Sequence, residues 1–168
     1  MRSAVLVLVL IGCGGPTRLA GEAVVTVSDV TGGAAVPEDE LVWIGVLAYG
    51  FGADGGDITE SALVGVAPDP CDLRLDIRFA GEPRSQTIEL PDGGTIFVRR
   101  GGGSQCPRDP EMRWGSTTGT LAVTLDGELV TAAFSGVAMA PRMIPGMAAN
   151  AAPGGFPIAG SAAAIDYG

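Results

Sequence analysis

Histidine is missing from this chain and so is lysine: arginine supplies all ten basic side chains. Without histidine, Ser-His-Asp and Cys-His catalysis are excluded. Without lysine, so are Ser-Lys catalysis, Schiff-base chemistry and the P-loop lysine, which leaves Gly101-Gly102-Gly103-Ser104 as a flexible loop. No GxSxG is present, and three cysteines with no CxxC and no histidine cannot build a zinc site. Aromatics are only 5% of the residues, too few for the stacking platforms that sugar sites usually add. Long apolar runs are also missing after the first dozen residues, so no helix that crosses a membrane is expected there.

What is abundant is glycine, at 27 residues, with 12 prolines and a net charge of −9. An acidic chain with one basic pair, Arg99-Arg100, cannot neutralise a row of phosphates, so nucleic acid is not an expected partner. That pair reads as a solvated strand end. The length suits one domain with a real core.

The N-terminus is the most informative stretch. Met1-Arg2 is a minimal positive region, Ser3 to Ile11 is an apolar run too short to span a bilayer, and Leu10-Ile11-Gly12-Cys13 follows. This resembles the signal peptide and lipobox of bacterial lipoproteins. The resemblance covers the first thirteen residues. It implies cleavage after Gly12, a diacylglycerol thioether on Cys13 and acylation of the new N-terminus, which together give durable membrane attachment. Gly14, where inner-membrane lipoproteins often carry Asp, points by the same resemblance to the outer membrane. The expected organisation is a signal peptide over 1–12, a lipidated tether over 13–21 and a β-domain over 22–168, with the net charge becoming −10 once Arg2 is lost. In an exported chain the two remaining cysteines, Cys71 and Cys106, read as one disulfide.

Beyond the tether the periodicity is two. Ala23, Val25 and Val27 alternate with polar residues on a first strand. Leu41 to Tyr49 is apolar at both parities and reads as a central strand covered on both faces. Residues 59–66 suit a strand. Cys71 to Phe79 alternates most clearly, with Cys71, Leu73, Leu75, Ile77 and Phe79 facing inward and Asp72, Arg74, Asp76 and Arg78 forming a charged outer face that discourages aggregation. Two hairpins follow. Residues 86–90 and 95–99 flank Asp92-Gly93-Gly94 in the register that pairs Leu90 with Ile96 and Ile88 with Val98. Residues 121–125 and 128–134 flank Asp126-Gly127, a type I′ signal that pairs Val123 with Val130 and Leu121 with Ala132. Met112 and Trp114 lie on a short strand before the second hairpin, after a loop over 101–110 pinned by Cys106. Phe156 to Tyr167 reads as a closing strand.

About eight or nine short strands separated by turns imply an all-β, antiparallel β-sandwich or flattened barrel. GTLAVTLDGELVTAAFSGVAMA together with IAGSAAAIDYG resembles the C-terminal half of small β-sandwich domains in bacterial lipoproteins, with Ala163 where those often place an aromatic.

No catalytic residue and no cofactor is assigned. Two acidic clusters stand out: Glu38-Asp39-Glu40, and Asp54, Asp57 and Glu60 in a Gly-rich loop that could supply hard oxygen ligands to calcium. Trp43, Tyr49 and Trp114 are read as core, and Met139, Met143 and Met147 as part of a loop packed over one end. The leading expectation is a lipid-anchored, non-enzymatic envelope protein that is structural or binds a partner. The alternatives are a calcium- or carbohydrate-binding module using Asp54, Asp57 and Glu60, and a carboxylate-dependent hydrolase.

Overall fold

The computed structural model describes residues 21–34, 36–52, 58–69, 71–101, 106, 111–143 and 152–165. Nine strands are described: β1 (Gly21–Val27), β2 (Glu40–Gly52), β3 (Ile58–Gly65), β4 (Arg74–Ala80), β5 (Gln86–Glu89), β6 (Gly94–Arg100), β7 (Met112–Asp126), β8 (Leu129–Pro141) and β9 (Phe156–Ile165). All pairings are antiparallel. Among the described residues no helix is long and apolar enough to cross a membrane.

The sheet closes on itself. Its order runs β7-β6-β4-β3-β2-β1-β9-β8, and β8 returns to β7, giving an eight-stranded up-and-down barrel, the second of the two expected architectures and not the sandwich. One closed sheet needs one inward face, so the apolar parity of every strand converges on one core. Val25, Leu75, Ile77, Ile96, Leu121 and Val130 are all fully buried there. Trp114 on β7 and Trp43 on β2 occupy opposite staves. Their indole N–H groups donate to Pro153 O (3.2 Å) and Leu73 O (3.0 Å), so each large ring is buried without stranding its donor.

The inward alternation of Leu73, Leu75, Ile77 and Phe79 is as read, though the strand starts at Arg74, so Cys71 lies in the turn before it, and Asp76 on the outer face is buried; the first expected hairpin does not form. β5 pairs with β7, Ile88 opposite Leu121, while β6 pairs with β4 and with the start of β7. Both therefore lie on the same edge of β7, and the two segments make one stave with a step between them. The step is held by Gly93 N–H donating to Glu89 O and Ala80 N–H donating to Gly93 O. Tertiary pairing with the long β7 has overridden the local turn signal.

The second hairpin forms with its register moved by two residues. Val123 faces Ala132 and Leu121 faces Phe134, because the turn is Gly127-Glu128 and the strand continues through Asp126. Gly127 takes φ 61° at the first turn position, the pattern of a type II′ turn. The short strand at Met112 and the strand at Leu121 are one fifteen-residue strand. Two register irregularities against β8 bend it round the barrel.

β2 departs furthest from expectation. An extra residue lies between Trp43 and Val46 opposite β1, so Trp43 and Val46 both point inward. The outer face is not covered: Val42, Ile44, Tyr49 and Phe51 are exposed, Ile44 by 75%. Tyr49 is thus not a core residue. Inside, the Trp43 ring lies against Gly65, where an added Cβ would meet ring atoms at 3.0–3.3 Å. Gly65→Val should therefore lower unfolding stability by about 1–3 kcal/mol in urea denaturation, through overpacking against a ring that cannot move.

Candidate functional site

Two rims close the barrel. One carries the start of β1, the β2–β3 and β7–β8 turns and the end of β9. The other carries the β1–β2, β3–β4, β6–β7 and β8–β9 connections. Cys71 and Cys106 are disulfide-bonded, with Cα atoms 5.5 Å apart, and join the β3–β4 connection to the β6–β7 connection on this second rim. Removing the bridge by Cys71→Ser with Cys106→Ser should cost roughly 3–4 kcal/mol in the chain-entropy account, measurable as a lower denaturation midpoint.

Asp76 lies on the outer face of β4 yet is only 1% exposed. Its carboxylate accepts from Arg78 Nε (3.0 Å) and Nη2 (2.9 Å), and from Arg99 Nη2 (2.8 Å) on the neighbouring β6. Glu60 of β3 adds an ion pair to Arg78 at 3.9 Å, and Arg113 of β7 pairs with Glu111 beyond Arg99. The hydrogen bond to Asp76 holds the Arg78 guanidinium above its ordinary pKa, while burial pulls Arg99 below its own. Arg99 is therefore a partly buried structural cation and not a solvated strand end. Three charge-assisted donors occupy the Asp76 oxygens, which makes the carboxylate a cross-strand clamp and leaves it poorly placed as a base. Asp76→Ala should destabilise by about 2–3 kcal/mol, below the usual cost for fully buried pairs because both arginines reach solvent; the check is chemical denaturation beside Arg78→Ala.

Of the acidic trio, Glu60 is on the barrel wall, committed to Arg78. Asp54 and Asp57 lie outside the described residues, as do Cys13 and Met147. Among the described residues no group of three or more Asp, Glu, Cys or His side chains is placed to hold a metal ion. Met139 is buried within β8 and Met143 is exposed, so these two do not share a loop surface.

One apolar concavity lies on the disulfide rim. A groove of about 540 Å³ runs between the first half of β2 and the β3–β4 connection, with Val42, Ile44, Val66, Pro37 and Pro68 along it and Asp72 and Arg100 at its sides. Sequence reasoning missed it as a site. The signal was the double-parity apolarity of Leu41 to Tyr49, which indicates a strand needing cover on both faces without saying what supplies the second cover.

No family, curated protein or solved structure matches this chain.

Proposed function

We propose that this protein is a lipid-anchored, non-enzymatic component of a bacterial cell envelope, attached through Cys13 and acting by binding a partner. The observation that carries this reading is the Leu10-Ile11-Gly12-Cys13 segment after a short apolar run. Residues 14–20 lead from that cysteine to the start of β1, which suits a tether between lipid and barrel. The residue types absent from the chain remove most nucleophilic and acid–base mechanisms, and the apolar groove offers a surface for recognition. The disulfide agrees with an oxidising compartment.

Cys13→Ala should move the protein from the membrane to the soluble fraction, and the unaltered protein should have the mass of a chain starting at Cys13 plus its acyl groups. A Cys13→Ala chain that still sediments with membranes, or an unmodified mass from Met1, would overturn the anchor.

A further inference from the structure

Among the described residues, the groove is bordered by a strand edge with no ladder partner on one side. β2 pairs with β3 only from Val46, opposite Gly65, to Gly52. Residues 40–43 pair with β1 alone, as Trp43 with Ala23 and Val42 with Val24, and Ile44 follows in the bulge. On their other side β3 has ended at Gly65 and Val66, Ala67 and Pro68 line the groove, so these residues have no ladder partner there among the described residues. Such an edge presents backbone donors and acceptors that a further strand can take up. The outward side chains beside it, Val42 and Ile44, are 50% and 75% exposed, and Val66 across the groove is 43% exposed. Among the described residues, an apolar wall and a strand edge without a ladder partner thus coincide in one place.

The charge around this edge selects its occupant. Asp72 and Arg100 line the groove, Glu38, Asp39 and Glu40 lead into β2 beside it, and Asp69 and Arg74 flank Asp72 along the chain, so carboxylates outnumber guanidiniums around this edge. Several of these carboxylates are oriented by local bonds: Glu38 accepts from Val30 N, Asp69 from Cys71 N and Asp72 from Leu73 N. The disulfide fixes the connection that carries Asp69 and Asp72. We propose that residues 40–44 of β2 receive an extended polypeptide segment as an added strand, with apolar side chains at alternate positions against Val42 and Ile44 and basic residues flanking them. This rests on the partner-binding part of the function proposed above and is independent of the lipid.

The test uses the full chain in detergent and a dye-labelled peptide of alternating valine and threonine with arginines at both ends. Saturable binding is expected, with slowed amide exchange confined to residues 40–44 within β2. Ile44→Lys should weaken binding about tenfold or more, while Leu129→Lys, at an exposed apolar position on β8, should leave it unchanged. A peptide N-methylated at alternate residues should lose binding, because strand addition needs its N–H groups. No saturable binding by the folded chain, equal binding by the methylated peptide, or indifference to Ile44→Lys would each overturn the proposal. Self-association abolished by Ile44→Lys would overturn it in favour of a second copy of this chain on the same edge. Since these readouts do not depend on Cys13, failure here and failure of the anchor remain distinct.

Discussion

Everything in the barrel depends on the pairing of β7 with β8. That ladder runs from Trp114 opposite Pro141 to Asp126 opposite Leu129, and it joins the two ends of what would otherwise be an open sheet. Closure removes long free edges and forces all inward positions onto one axis. It also sets the other departures from local preference. β5 gives up β6 because the far edge of β7 offers it partners, and β6 takes β4 on one side and β7 on the other.

Among the described residues, strand pairing is one-sided at the first half of β2, which has β1 alone, and at β5, which has β7 alone. The bulge that turns both Trp43 and Val46 inward lets the strand bend over the Gly65 gap. β3 stops short at Gly65, and beyond it β2 is left with β1 as its one neighbour among the described residues, on the rim that carries the disulfide. Packing and recognition are therefore linked. The ring that fills the core at Trp43 requires a glycine on β3, and just beyond that glycine β3 ends and β2 is left single-sided.

Much of the fold is legible in the sequence, for physical reasons that differ by element. β4 is readable because its core side chains are large and strictly alternate, and Leu73, Leu75, Ile77 and Phe79 are buried as the pattern requires. The Cys71–Cys106 bridge follows from cysteine number once export is assumed. The hairpin registers are not readable. A Gly-rich turn permits several loop lengths, and choosing between them needs the long-range partner: β7 for residues 86–89, the continuation of β7 through Asp126 for the second hairpin. Barrel and sandwich share the same alternation, so the choice between them lies in closure, which no local window contains. The buried Asp76 clamp was half visible as alternating charge on β4, but its second arginine comes from β6, across a strand pairing the local pattern does not show. The candidate site was legible only as apolarity on the wrong face of β2.

The position of β9 has a consequence for how this chain could be rewired. Each stave is joined to the next in chain order, with β5 and β6 counted as one, and the only neighbours not joined in that way are β9 and β1. Glu22 stands opposite Ala163, so the start of the first strand and the end of the last meet on one rim. The ring is therefore indifferent to where its backbone is opened. A peptide link between those two strands, with a new break at the exposed Gly127-Glu128 turn, would give a circular permutant with every ladder retained. The architecture belongs to the cycle of strands, and the present order of the chain is one of several ways of writing it.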